Sequence, residues 1–313
     1  MGKGCLDNTR RDGQRAIKVV NLSSMIQNFF TPLRYPGGKG KLAEYIKAIV
    51  VSNNLVGGTY VEPYAGGAAV AMELLLLGYM DEIHINDLNP GVYAFWKAVL
   101  DDTEALVALI ENTSVSMDEW YRQKEVQRTI IEPTFELGFS TFFLNRCNRS
   151  GILKAGVIGG KEQTGKWKLD ARFNKSDLIS RIETIQRFRE QIVLHNEDAA
   201  ALVGDLASKI KGKALFYLDP PYYIKGKGLY DNFYNHEDHL EIAKQICQVN
   251  SAKWIVSYDD VDAIRNMYSS YRLLRYRLSY SAQTREQGGE VMFFCDSLTI
   301  PEIPNSAPMH EAA

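Results

Sequence analysis

Two kinds of hydrophobic pattern recur along the chain. Short continuous apolar or aromatic runs at 59–61, 82–86, 192–194, 214–218, 254–256, 271–277 and 291–295 read as strands. Stretches with apolar residues three and four apart read as amphipathic helices: Leu42, Tyr45, Ile46, Ile49 and Val50, then 70–77, most of 88–147, 176–190, 239–249 and 260–267. Residues 88–147 carry many apolar and aromatic positions, read as core. A glycine-bearing loop is expected to open at Asn145-Arg146-Cys147 and run to about Phe173. Residues 223–235 read as a polar, glycine- and tyrosine-rich mobile loop, and 279–289 as a polar link between two strands. The first ~20 residues are expected to form a weakly ordered extension, and the chain from Pro301 onward a disordered tail. No internal repeat is found.

A chain of 313 residues that is 45% hydrophobic and 24% charged is globular and long enough for one large core, or for one core and a smaller domain. No run of 18 uncharged apolar residues occurs and no apolar signal stretch opens the chain, so the expectation is a cytoplasmic protein that neither spans a membrane nor is secreted. Cys5, Cys147, Cys247 and Cys295 are isolated, which gives reduced thiols and no metal site. His236 and His239 stand three apart with no third ligand near them and read as a solvated helix face. The net charge of −2 conceals an asymmetry: residues 142–189 carry eleven Lys/Arg against four Asp/Glu, which leaves −9 on the rest. A basic block of this kind is often only a solvated surface, yet here it surrounds glycines and an aromatic rather than forming a regular helix face.

The chemistry centres on Asp219-Pro220-Pro221-Tyr222, directly after the run 214–218. A double proline stops the strand, so Asp219 falls at a strand's carboxyl end, where open α/β sheets bind ligands. A carboxylate and the Pro220 carbonyl can each accept one N–H of an amino group on a flat ring, and Tyr222 can stack on that ring. Two such acceptors draw the nitrogen from planar towards tetrahedral and free its lone pair for attack. Upstream, Glu62-Pro63-Tyr64-Ala65-Gly66-Gly67 joins a strand to a helix, the first unit of a nucleotide-binding sheet. Asp87 ends the next strand, where an acidic residue binds ribose hydroxyls in such sheets. Tyr35-Pro36-Gly37-Gly38-Lys39 is a glycine-rich loop before a helix, and Lys39 offers a positive charge to a carboxylate or phosphate; the phosphate-loop spacing is absent.

Taken together and in this order, the four segments resemble the Dam-type (alpha-group, D-P-P-Y) adenine-specific DNA N6-methyltransferases, over about residues 31–297. The resemblance implies an α/β, Rossmann-like doubly wound mixed sheet with an inserted, mainly helical target-recognition domain. It divides the chain into a catalytic domain of residues 31–100 and 191–300, a DNA-binding insert of 101–190, and extensions at 1–30 and 301–313. It further implies S-adenosyl-L-methionine as cofactor, held by Tyr35, Lys39 near its carboxylate, Glu62, Pro63, Tyr64, Gly66, Gly67, Asp87 at the ribose, and Asp219. Asp219, Pro220, Pro221 and Tyr222 would act on the adenine amine. Arg146, Arg149, Lys154, Lys161, Lys166, Lys168 and Arg172 would lie on double-stranded DNA. A monomer is the default, and a cognate restriction nuclease encoded separately is an open partner. Two positions depart from the family pattern: Tyr64 where Phe is usual, and Ala68 where many members have a further Gly.

Other readings are an adenine methyltransferase acting on structured RNA, a protein glutamine methyltransferase, a dinucleotide oxidoreductase and an inactive DNA-binding module. The insert of roughly ninety residues favours duplex DNA over RNA, since it offers a surface for a groove. Glutamine as substrate would call for Asn at position 219. The oxidoreductase would call for G-x-G-x-x-G and leaves D-P-P-Y without a task, and the intact motif set speaks against an inactive module.

Overall fold

The computed structural model describes residues 30–34, 39–224, 234–278, 289–304 and 309–311. Eight strands among them form one sheet: β1 (Gly58–Glu62), β2 (Met80–Asn86), β3 (Ile192–His195), β4 (Ala214–Leu218), β5 (Lys253–Asp259), β6 (Arg272–Leu278), β7 (Glu290–Phe294) and β8 (Met309–Glu311). Their spatial order is β3-β2-β1-β4-β5-β7-β6-β8. The first five run parallel, and β7 is antiparallel to both β5 and β6. This is a doubly wound mixed α/β sheet. The chain builds outward from β1 through β2 to β3 and then returns to lay β4 on the other side of β1. Right-handed crossovers therefore place the outgoing and returning helices on opposite faces, and the crevice between the carboxyl ends of β1 and β4 is the topological switch point.

The central strands are continuous apolar runs because both their faces are covered; every residue of β4 and of β7 is buried. Ten α-helices occur among the described residues: α1 (Ala43–Ser52), α2 (Ala69–Leu76), α3 (Pro90–Asp101), α4 (Thr103–Asn112), α5 (Met117–Thr129), α6 (Phe135–Cys147), α7 (Lys175–Gln186), α8 (Ala199–Lys209), α9 (His236–Cys247) and α10 (Asp262–Met267). Asn89 starts α3: its side chain accepts the Gly91 and Val92 N–H groups, and Pro90 sits where a missing N–H costs nothing. From Leu137 to Cys147, α6 is buried on every side. It lies so close to α3 that a Cβ on Gly138 would stand 2.6 Å from the Ala94 carbonyl oxygen. One continuous core includes α3 and α6, with no break at residue 100.

The structure departs from the sequence reading in four places. α6 continues through Asn145, Arg146 and Cys147, so these residues close a buried helix and the loop starts after them. α8 fills a stretch that the hydrophobic pattern leaves unassigned; the Asp198 side chain caps it by accepting the Ala200 and Ala201 N–H groups. The tail is not free of structure, because Met309–Glu311 pairs with the end of β6 and the Tyr45 hydroxyl donates to the Pro301 carbonyl. His239 is 1% exposed rather than solvated. Its Nδ1 lies 3.0 Å from the Tyr258 hydroxyl, its Nε2 has no partner among the described residues, and burial pushes its pKa down to about 4. Of the expected mobile loop at 223–235 and the link at 279–289, residues 225–233 and 279–288 lie outside the described residues.

Ala68, at the entry to α2, holds φ 46° and ψ 36°, a left-handed conformation that an L side chain adopts at a cost. Ala68→Gly relieves that strain, less the entropy that glycine adds to the unfolded chain. It is expected to raise unfolding stability by about 0.5–1 kcal/mol in urea titration; an unchanged or lowered midpoint would contradict the strain.

Candidate active site

The β1 half of the crevice is a turn pinned from several directions. Gly66 turns at φ 48°, which glycine adopts without steric cost. Its carbonyl accepts the Trp96 indole N–H at 2.9 Å, and its N–H donates to Asp87 Oδ2 at 3.0 Å. The other Asp87 oxygen accepts the Asn89 N–H at 2.8 Å, so this one carboxyl ties the glycine turn to the start of α3. Burial raises the Asp87 pKa to about 6 against the pull of those two N–H groups. Pro63 is anchored through its carbonyl by the Asn86 side chain at 2.9 Å. Glu62 is buried at the end of β1, and its Oε2 accepts the Ala71 N–H in the first turn of α2. Burial pushes its pKa up to about 8; the Ala71 N–H opposes the shift and the nearby Asp219 charge adds to it. The Tyr64 hydroxyl lies 3.0 Å from that of Tyr234.

The β4 half is the Asp219-Pro220-Pro221-Tyr222 loop, one strand away. Asp219 is half-buried and Pro220 buried. Ser257, on β5, donates its hydroxyl to Asp219 Oδ1 at 2.7 Å. With that proton committed, the Tyr217 hydroxyl, 2.9 Å from Ser257 Oγ, acts as donor to it. Tyr223 and Ile224 donate their backbone N–H groups to Asp259 at the end of β5, at 2.9 and 3.1 Å. The Tyr222 hydroxyl donates to Glu290 Oε1 at 3.0 Å. Ser257, Asp259 and Glu290 lie just beyond the apolar runs 254–256 and 291–295, so their contact with the loop after β4 is visible only in the folded sheet.

Segment 30–34 leads to the glycine-rich loop and is strapped to both the crevice and the insert. The Thr31 hydroxyl donates to the Gly67 carbonyl, and Arg181 donates to the Thr31 carbonyl at 3.1 Å. Asn145 accepts the Arg34 N–H and donates to the Arg34 carbonyl, both at 2.7 Å. Arg146 corrects a reading made from charge alone. It is 8% exposed, and its guanidinium donates to the carbonyls of Arg172 at 2.7 Å and Pro32 at 3.3 Å. Burial, with Arg34 and Arg181 nearby, lowers its pKa to about 10. It braces the strap and does not lie on the surface.

Tyr35 lies outside the described residues, and the backbone of Lys39 begins a 3-10 turn into α1. Arg149, Lys154, Lys161, Lys166, Lys168 and Arg172 are all exposed. Among them stands Trp167, 67% exposed, with the Lys166 ammonium 5.7 Å from its ring. The Gln163 side chain holds the surrounding turn by donating to the Ile158 and Gly160 carbonyls and accepting the Leu169 N–H. The described residues contain no group of three or more His, Cys, Asp or Glu able to hold a metal ion, and no helix long and apolar enough to cross a membrane.

A family model described as D12 class N6 adenine-specific DNA methyltransferase matches residues 35–282. The chain belongs to this family. It is therefore an adenine N6-methyltransferase of DNA, and the matched span takes in the glycine turn, the basic segment and Asp219-Pro220-Pro221-Tyr222 of this D12 class enzyme. Among solved structures, it is similar to the rRNA methyltransferase aviRa from Streptomyces viridochromogenes, at 11% identity over 87% of this chain and 93% of that one, with a TM-score of 0.41. It is also similar to the protein LPL1258 from Legionella pneumophila str. Philadelphia 1, at 13% identity over 82% of this chain and 86% of that one, with a TM-score of 0.28. No curated protein matches it.

Proposed function

We propose that this D12 class enzyme takes its methyl group from S-adenosyl-L-methionine and delivers it to N6 of an adenine rotated out of duplex DNA into the β1–β4 crevice. The observation that carries this reading is the adjacency of two unlike ligand sites across one strand boundary. The Glu62–Gly67 turn with Asp87 suits a nucleoside-bearing cofactor. Asp87 uses only two of the roughly four acceptor positions of a carboxylate on Gly66 and Asn89, which leaves capacity for ribose hydroxyls. The cofactor supplies an electrophilic methyl on a sulfonium. On the other side of the boundary, Asp219 and the Pro220 carbonyl accept the two N–H bonds of the adenine amine, and Tyr222 stacks on the ring. Ser257 fixes the Asp219 oxygen beside it, so that acceptor needs no reorganisation during reaction. Unstacking the base costs a few kcal/mol, of which stacking on Tyr222 returns about 1–3 kcal/mol.

We assign DNA recognition to the insert of residues 101–190, with Arg149, Lys154, Lys161, Lys166, Lys168 and Arg172 positioning phosphates and the exposed Trp167 ring available to stack on a base. Transfer of tritiated methyl from S-adenosyl-L-methionine to unmodified duplex DNA and to structured RNA tests the reading. Label is expected in DNA, and label in RNA alone would overturn it. The charged face is tested separately. Lys161→Glu with Lys166→Glu is expected to reduce the slope of log affinity against log salt by about one for each phosphate left without its lysine, measured by fluorescence anisotropy on mixed-sequence duplex. An unchanged slope would move the DNA path elsewhere.

A further inference from the structure

The same sheet edge that holds Asp219 also holds the ring beside it. β7 runs antiparallel to β5, so its first residue, Glu290, pairs with Asp259 at the last residue of β5. On its other side, Glu290 pairs with Tyr276 of β6. Three strand positions are thereby aligned next to the loop that leaves β4. Glu290 is 7% exposed, and a carboxyl so far from water is held by hydrogen bonds. Oε1 accepts the Tyr222 hydroxyl at 3.0 Å and Oε2 accepts the Tyr276 hydroxyl at 2.7 Å. Asp259, directly across the ladder, accepts the next two backbone N–H groups of the same loop. The two cross-strand carboxyls divide the work: Asp259 holds the main chain, while Glu290 holds the far end of the Tyr222 ring. An aromatic side chain has two soft torsions and its phenol oxygen lies on the ring axis, so anchoring that oxygen restricts where the ring face can point. Tyr276 fixes the anchor in turn, since it occupies the second oxygen from a neighbouring strand.

We infer that Glu290 is a positioning residue for methyl transfer, setting the orientation of the Tyr222 ring that stacks on the target adenine. The inference rests on the proposed role of Tyr222. The two are separable, because failure of that role would leave Tyr222→Ala active, whereas failure of this inference alone leaves Tyr222→Ala impaired and Glu290 irrelevant to it.

The test is a double-substitution cycle in the full chain, read as single-turnover methylation of unmethylated mixed-sequence duplex DNA. Glu290→Leu is expected to slow transfer about ten- to a hundredfold, the range for losing a hydrogen bond to a charged partner. Its KM for S-adenosyl-L-methionine should change less than about twofold, since Glu290 touches none of the glycine turn. Glu290→Gln keeps a carbonyl acceptor for Tyr222 and is expected to lose only about three- to tenfold, because neutral hydrogen bonds are roughly half as strong. In the Tyr222→Phe background, where no hydroxyl remains to anchor, neither change at 290 should slow transfer further. Should Glu290→Leu fail to fold by thermal denaturation, the Gln arm of the cycle decides the same question. Losses that simply multiply in the double variants, or a rise in the KM for S-adenosyl-L-methionine matching the loss in rate, would overturn the inference.

Discussion

Asp219→Ala is expected to abolish detectable methyl transfer, a loss of about 10²–10³-fold or more, while S-adenosyl-L-methionine still binds. The magnitude follows from removing the preorganised acceptor that the proposal aims at the reacting nitrogen, an effect of that size where comparable groups are deleted. The fold should tolerate the change. Asp219 is half-buried, and the Ser257 hydroxyl it releases has the Leu218 carbonyl 3.4 Å away as an alternative acceptor. Cofactor binding should survive because Asp87, Gly66 and Gly67 belong to other strands and turns. Single-turnover methylation and isothermal titration with S-adenosyl-L-methionine read the two properties separately. Near-normal turnover in this variant would remove Asp219 from the chemistry, and loss of cofactor binding would make its contact with the cofactor its main role.

The second large effect is expected at the strap of residues 30–34. Gly151 follows α6, at φ 75°, and a Cβ added there would stand 2.1 Å from the carbonyl oxygen of Arg34. Backbone does not yield as a flexible side chain does, so Gly151→Ala must move the strap that Asn145 binds at both Arg34 and Gly151. Adding about 1–2 kcal/mol for the left-handed backbone to about 1–3 kcal/mol for overpacking gives a loss of about 2–5 kcal/mol of unfolding free energy. Because Arg34 immediately precedes Tyr35, the proposed cofactor contact, the KM for S-adenosyl-L-methionine should rise as well. Urea denaturation and steady-state kinetics measure the two consequences. A variant of wild-type stability and unchanged KM would show that the strap is not rigid.

Much of the sheet is legible in the sequence because its central strands are buried on both faces and therefore read as unbroken apolar runs. The double proline after 214–218 marks where β4 ends, and the spacing from the glycine turn to Asp87 marks one β-turn-α-β unit. What escapes the sequence is contact across the sheet. Ser257, Glu290 and Asp259 meet the loop of residues 219–223 over separations of 38, 68 and 36 residues. Only strand order and register bring them there. β8 escapes for a related reason, since three residues held by main-chain pairing need no hydrophobic pattern. Arg146 misleads because charge patterning assumes a surface, whereas α6 is buried from Leu137 to Cys147 and draws its last basic residue inside, where backbone carbonyls of Arg172 and Pro32 satisfy it. α8, by contrast, is legible in principle: Asp198 before three alanines is a helix start with a cap.

The measurement that bears most directly on the central claim is nucleoside analysis of duplex DNA after incubation with the protein and S-adenosyl-L-methionine. If, as proposed, Asp219 and the Pro220 carbonyl accept the exocyclic amine in the β1–β4 crevice, the expected product after complete digestion is N6-methyldeoxyadenosine, absent when Asp219 is replaced by Ala. Appearance of the methyl group on another base, or its persistence at adenine N6 in the Asp219→Ala variant, would contradict the account.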